Sequence, residues 1–270
     1  MQRLLLLNFL FFLTSVVLFG QQRLPGNKNI YGASGKGLIY DTEMTFHMAI
    51  STPRNITLGL RSGRLVSFDK MKYWSASIGD IRHGREWRDN PDRINTITQR
   101  VSRAYVFGKA NQLYALRVGF GTRKYISEKA RQRGVAVGYS YEFGPTLGLL
   151  KPYYLEVDAA EPGNRGAIID IRYDGDNADR FLNKDRIFGA SVWSMGLDEI
   201  KLRPGLHVKA AAHFGFGAYD EMAKSLEVGM MADFLLGNTD IMIESDLTPG
   251  ITNSPLFLSL FVKVQLGKRW

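Results

Sequence analysis

From residue 41 onward the chain alternates between apolar and polar or small positions with a period of two. In residues 207–217 (HVKAAAHFGFG), Val208, Ala210, Ala212, Phe214 and Phe216 share one face; His207, Lys209, Ala211, His213 and Gly215 share the other. In residues 225–235, Leu226, Val228, Met230, Ala232 and Phe234 oppose Glu227, Gly229, Met231 and Asp233. Residues 41–50, 113–121, 134–143 and 256–266 repeat the pattern. A period of two is the signature of a strand with one buried and one differently solvated face. A soluble sandwich would alternate too, but its strands are usually ~5–6 residues long, and these run to about 9–11. The polar faces mix Gly and Ala with charges of both signs, which suits a crowded, wet barrel interior. The apolar faces carry Tyr and Phe toward their ends, as an interfacial girdle does. In lipid, strands leave no backbone group unpaired only when the sheet closes. The pattern predicts an all-β chain folded as a closed antiparallel transmembrane β-barrel.

The segments before this region have a different character. Residues 1–20 (MQRLLLLNFLFFLTSVVLFG) place Arg3 ahead of an apolar run and end on the small Gly20, the three-part form of a secretory signal peptide. Removal is expected before Gln21, and because no Cys follows, a lipoprotein is excluded. Residues 21–36, with Pro25 and several glycines, read as an N-terminal lead-in, and residues 37–270 as a single barrel domain.

Outer-membrane barrels combine short periplasmic turns, long outer loops and an even strand number. Under that rule the best register has about twelve strands, with ten or fourteen as alternatives. They begin near Leu38, Ile56, Lys72, Val101, Gln112, Gly134, Leu147, Arg186, Leu206, Leu226, Thr239 and Leu256. Short turns are expected at 68–70, 109–111, 144–146, 198–204 and 237–238, and the longest loops at 83–100 and 158–185.

The last residues, LFLSLFVKVQLGKRW, form an amphipathic strand ending on the aromatic Trp270. This resembles the terminal strand of bacterial outer-membrane barrels, a resemblance that implies Trp270 as the signal read by the barrel-assembly machinery. The ending GKRW, and Gln21 at the expected mature start, resemble outer-membrane proteins of the Bacteroidota. The stretch YVFGKANQLYALRVGFG…GVAVGYSYEFGPTLGLLKPYYLEV is similar to uncharacterised barrels of that phylum. Together these imply the outer membrane of a diderm bacterium.

Composition narrows the chemistry. With no Cys, the chain has no disulfide framework, thiolate metal site or thiol nucleophile. A hydrophobic fraction of 45% excludes a disordered chain, and the slightly negative mean hydropathy excludes a polytopic helical membrane protein. The net charge of +9 does not point to nucleic acid in an exported protein. The inward set is Asp41, Glu43, His47, Arg61, Arg117, Glu142, His207, Lys209, His213, Glu227, Asp233 and Lys263. Such a lumen is either a salt-bridged plug or a polar pore. Mixed charge favours mutual pairing over a single-sign selectivity filter.

Other candidates are weaker. His207 and His213 share a face but stand about 20 Å apart along a strand, too far for one metal ion. His83 with Ser75 and Ser77 at a barrel rim would suit a lipid-acting hydrolase, but no Gly-x-Ser-x-Gly is present. Residues 170–179 (DIRYDGDNAD) offer oxygen ligands for Ca²⁺ without the EF-hand spacing. Arg and Lys in residues 83–100 and 123–133 suit the phosphates of lipopolysaccharide. The expectation is an outer-membrane barrel with a structural or accessory role, a subunit of a larger envelope assembly. The alternatives are a narrow diffusion channel for small polar solutes and a lipid-acting hydrolase. No catalytic residue, metal or cofactor is expected. The expected partners are outer-membrane lipids including lipopolysaccharide, the assembly machinery and other outer-membrane proteins.

Overall fold

The computed structural model describes residues 41–67, 69–92, 94, 101–126, 135–159, 168–216 and 222–270. The expected signal peptide (1–20), the lead-in (21–36) and parts of the expected loops lie outside the described residues. In chain order the strands are β1 (Thr42–Ser51), β2 (Asn55–Ser67), β3 (Lys70–Ile81), β4 (Arg88–Asp89), β5 (Tyr105–Val106), β6 (Asn111–Tyr125) and β7 (Ala136–Pro152). They continue with β8 (Tyr154–Asp158), β9 (Ile168–Arg172), β10 (Ile187–Ala190), β11 (Lys201–Phe216), β12 (Met222–Leu235) and β13 (Leu256–Arg269). Eight of them close into an antiparallel barrel in the order β1-β13-β12-β11-β7-β6-β3-β2. At the seam, β1 pairs with β13 from Glu43↔Arg269 to Ser51↔Phe261, and Thr42 and Trp270 exchange backbone hydrogen bonds of 2.8 and 3.0 Å.

The count of about twelve is therefore corrected to eight, as are the alternatives of ten and fourteen. The segments expected to begin at Gly134 and Leu147 are one strand, β7, of 17 residues. Its apparent turn at 144–146 stays in the ladder, with Gly144 opposite His207 and Thr146 opposite Gly205. Gly144 serves close approach rather than reversal: a Cβ there would meet the Gly119 Cα at 2.7 Å. The expected turn at 198–204 likewise gives way to β11, which contains Pro204 opposite Leu147. The segments at Val101, Arg186 and Thr239 leave the wall. Val101 makes only an isolated bridge to Ile94; the run after Arg186 becomes β10 in a small sheet with β8 and β9; Met242 bridges Lys109. These runs are too short to traverse a wall whose strands have 10 to 17 residues.

The wall has inverted polarity. Along β1, Glu43, Thr45, His47, Ala49 and Ser51 are buried, whereas Met44, Phe46, Met48 and Ile50 are exposed. Along β13, Ser259, Phe261, Lys263 and Gln265 are buried, and Leu258, Leu260, Val262, Val264 and Leu266 are exposed. Because successive side chains point to opposite faces, one register decision sets both surfaces.

The two barrel ends differ. One carries the strand termini at Thr42 and Arg269, the turn around Asp69, and the strand ends at Tyr125, Ala136, Phe216 and Met222. The other carries the turn at 52–54 and the long connections at 82–110, 153–200 and 236–255. At this loop end, inward residues Ile81, Leu113, Ala115, Leu150 and Leu235 pack with Val106, Ile241 and Met242 from the loops. This is an apolar stopper in the barrel mouth. Above it the loops fold into a cap with its own core of Tyr105, Leu155, Val157, Phe181, Leu182, Ile187 and Ile243. Residues 178–181 make one helical turn that carries Phe181 into that core.

Candidate functional site

An eight-stranded barrel is just wide enough for side chains to fill it. Here the filling is charged. Glu227 on β12 sits at the centre: Arg61 from β2 reaches its two oxygens at 2.6 and 3.2 Å, and Lys263 from β13 pairs with it. Arg123 from β6 approaches it at 3.4 Å and the His213 Nδ1 at 3.2 Å. The register explains the convergence, since Glu227 lies directly opposite His213 on one side and Lys263 on the other.

Further ion pairs flank this centre. Glu43 accepts from Arg123 and from Arg269, each at 3.0 Å. Glu142 accepts from Lys209 at 2.7 Å and lies 3.5 Å from Arg61. Toward the stopper, Arg117 grips Asp233 with two hydrogen bonds of 2.6 and 3.0 Å, the planar fork-on-carboxylate geometry. Gln265 ties the centre together, its carbonyl oxygen accepting from Arg123 at 3.0 Å and from the Ser225 hydroxyl at 3.1 Å. Tyr73 lies 4.0 Å beneath the Arg61 guanidinium. Small residues make the room: a Cβ at Gly119 would stand 2.7 Å from the Glu142 carboxyl, so the wall is bare where that side chain lies.

Of the residues expected inside, Glu43, His47, Arg61, Arg117, Glu142, His207, His213, Glu227, Asp233 and Lys263 are buried, and Lys209 is half-buried. Asp41 is a correction. It precedes β1, is exposed at the rim, and its carbonyl accepts from the Leu65 backbone. The parity of β1 carries inward only while the strand remains in the wall. Arg123, Gln265, Arg269 and Tyr73 belong to the cluster but were not anticipated. They share parity with Arg117, Lys263 and Ser75, so extending the same alternation a few residues further would have found them.

His207 shares a 2.9 Å hydrogen bond with the Thr146 hydroxyl and lies 3.4 Å from Glu142. His213 packs edge-on to Tyr125 at 5.7 Å. His83 lies beyond β3 near the Thr252 carbonyl, at 3.3 Å, whereas Ser75 and Ser77 point into the lumen. Among the described residues no histidine hydrogen-bonds a serine, and no three His, Cys, Asp or Glu side chains gather at metal distance. In the acidic loop, Asp174 and Asn177 cap each other's backbone and Arg172 pairs with Glu199. Trp270 is exposed at the seam.

No family model matches the chain, and no curated protein matches its sequence. Among solved structures, the crystal structure of Neisserial surface protein A aligns over 85% of this chain and 95% of that one, at 6% identity and a TM-score of 0.35. At that TM-score the two chains share too little geometry for the match to bear on fold or function.

Proposed function

We propose that the chain is an integral outer-membrane β-barrel without catalytic activity. Its lumen is closed, and its role is structural or accessory within a larger envelope assembly. The observation that carries this reading is the inverted polarity of the wall. A closed barrel that buries Arg61, Arg123 and Glu227 while exposing Phe46, Leu258, Leu260 and Met230 is matched to a hydrocarbon solvent. In water that belt would be an aggregation surface. The strict alternation of β13, with Leu258, Leu260, Val262, Val264 and Leu266 outward, supports insertion into the outer membrane.

Closure is supported by two barriers in series. The cross-linked charges around Glu227 occupy the middle of the lumen, and the stopper of Leu113, Leu150, Leu235 and Ile241 occupies its loop end. A pore built for solutes would leave an aligned polar path. With passage blocked, the folded cap is the part of the molecule left to present a specific surface to other envelope proteins.

The test is extraction of the tagged full-length protein from native outer membranes in mild detergent, with mass spectrometry of what accompanies it. The expected result is a stoichiometric set of outer-membrane proteins. Recovery as a lone monomer that conducts ions in planar bilayers would replace this reading with the narrow diffusion channel.

A further inference from the structure

A second polar site lies outside the lumen, on the outer side of the wall at the loop end. It is a cavity of about 590 Å³, within the range of small-ligand sites. Its floor comes from Gln112 and Lys151, paired across β6 and β7. Both have the outward parity of Tyr114 and Leu116, not the inward parity of Leu113 and Leu150. The cavity therefore opens where the strands leave the apolar belt rather than into the barrel.

Its charge is one-sided. The lining acid is Glu86, and its carboxylate is already occupied: Lys109 donates to one oxygen at 2.6 Å and the His83 backbone N–H to the other at 3.0 Å. Lys151 is 3% exposed; its ammonium donates to the Met195 carbonyl at 2.7 Å and lies 5.8 Å from the Trp193 ring. Arg54 lies over the Trp87 ring at 4.6 Å and donates to the Glu86 carbonyl. Arg88 and Arg103 complete the rim. Among the described residues, none of Lys151, Arg54, Arg88 and Arg103 is paired with a carboxylate. A buried ammonium satisfied only by a backbone carbonyl and an indole face is an open position for an anion.

The aromatic walls face the same way. Trp87 and Trp193 are 68% and 61% exposed, and Trp193 is fixed by a 2.8 Å hydrogen bond from its indole N–H to the Tyr114 hydroxyl. Tyr114 stands opposite Asp80 at the top of the outward face, and below it the exposed Ile78, Leu116 and Val118 continue the apolar belt. An anion seated on Lys151 would thus lie at the upper edge of a surface fit for acyl chains.

We propose that this cavity is a headgroup site for a phosphate-bearing anionic lipid of the surrounding membrane. The phosphate is held by Lys151 with Arg88 and Arg103, the headgroup backbone lies against Trp87 and Trp193, and the chains run down the outer face of β3 and β6. This rests on the membrane reading above and adds a ligand class and place to it. Arg supplies the planar donors that match phosphate oxygens, and the amphipathic Trp rings suit the boundary between headgroup and hydrocarbon.

The experiment uses the full chain. Flotation with phosphatidylcholine vesicles first establishes insertion, so a failure of the membrane reading is seen separately. Native mass spectrometry from mild detergent then compares retention of dioleoyl phosphatidate and dioleoyl phosphatidylcholine. Phosphatidate is expected to be retained about tenfold better, and Arg88→Gln with Arg103→Gln to abolish the preference, as fits the loss of charge-assisted hydrogen bonds. Lys151→Met should do the same. If it instead disturbs the surrounding loop, the exposed arginine pair still decides the matter. Equal retention of the two lipids by an inserted barrel, or an unchanged preference in the arginine variant, overturns the site. Displacement of phosphatidate by glycerol 3-phosphate at equal concentration overturns the lipid assignment in favour of a soluble phosphate ester.

Discussion

The wall and the cap obey opposite rules within one chain. In the wall, Arg61, Arg117, Arg123, Glu142 and Glu227 are hidden while Phe46, Leu258 and Met230 are displayed. In the cap, Tyr105, Leu155, Phe181 and Ile187 are hidden while Arg172, Asp174, Asp176 and Arg180 are displayed. Wall strands such as β1 alternate strictly between buried and exposed positions, whereas β8 in the cap buries Leu155, Glu156 and Val157 in succession. The cap is solved as a water-soluble protein solves its folding, by burying apolar area. On the membrane reading proposed above, the wall gains nothing from that in lipid. It relies instead on a closed ladder of backbone hydrogen bonds and on charges that neutralise one another inside. The stopper marks the change of regime: there the apolar side chains of wall and loops face each other, sealing the charged lumen from the loop end.

The contrast breaks most severely if the interior loses its central anion. Glu227→Gln removes the charge on which Arg61, Arg123 and Lys263 converge, leaving like charges buried together. A loss of about 3–5 kcal/mol is expected, the cost of stranding one side of a buried ion pair, measured by urea unfolding of the barrel in vesicles. Next in size is Leu155→Ala in the cap core, at roughly 3 kcal/mol. Its signature is local. Amide exchange and proteolysis should rise across 153–190 while the barrel keeps its resistance to heat in detergent.

Val262→Arg, midway along the outer face of β13, is expected to cost roughly 2–3 kcal/mol in vesicles, because a guanidinium placed in hydrocarbon is penalised by depth. The same substitution in a soluble barrel would be nearly neutral, so the size of this effect sharpens the comparison directly. The smallest effect belongs to the cap surface. Arg172→Gln removes the ion pair with Glu199, whose partners are 49% and 33% exposed, and should change stability by less than about 1 kcal/mol. A large loss there would mean that the cap does not behave as a water-facing surface.

Much of the wall was legible because its alternation is sustained. His207 to Gly215, Glu227 to Asp233 and Leu256 to Leu266 each keep parity long enough to fix which side chains face inward. The strand count was not legible, for local reasons. Gly144, Pro145 and Thr146 have turn composition but lie within β7, where the glycine admits a close backbone neighbour. Conversely, the runs after Val101 and Arg186 have the composition of wall strands, yet as β5 and β10 they bury Tyr105 and Ile187 in the cap core. Period alone does not say what lies beyond the apolar face. The interior network was legible as a set of residues but not as a pattern of partners. That Glu227 gathers Arg61, Arg123, His213 and Lys263 depends on which strands oppose each other across the closed barrel, and closure at eight strands brings them within reach of one carboxylate. The cap core and the cavity at Lys151 required the loops to be placed in space.

The central claim is that the outer face of the wall is solvated by hydrocarbon, and Trp74 reports on it. It is exposed on the outward face of β3, between Phe120 and Ser62 on the neighbouring strands. With Trp87, Trp193 and Trp270 replaced by Phe, its fluorescence can be followed in vesicles whose acyl chains carry bromine. The account predicts strong quenching by the brominated chains and little by aqueous acrylamide. Quenching by acrylamide with no response to the brominated lipid would contradict it.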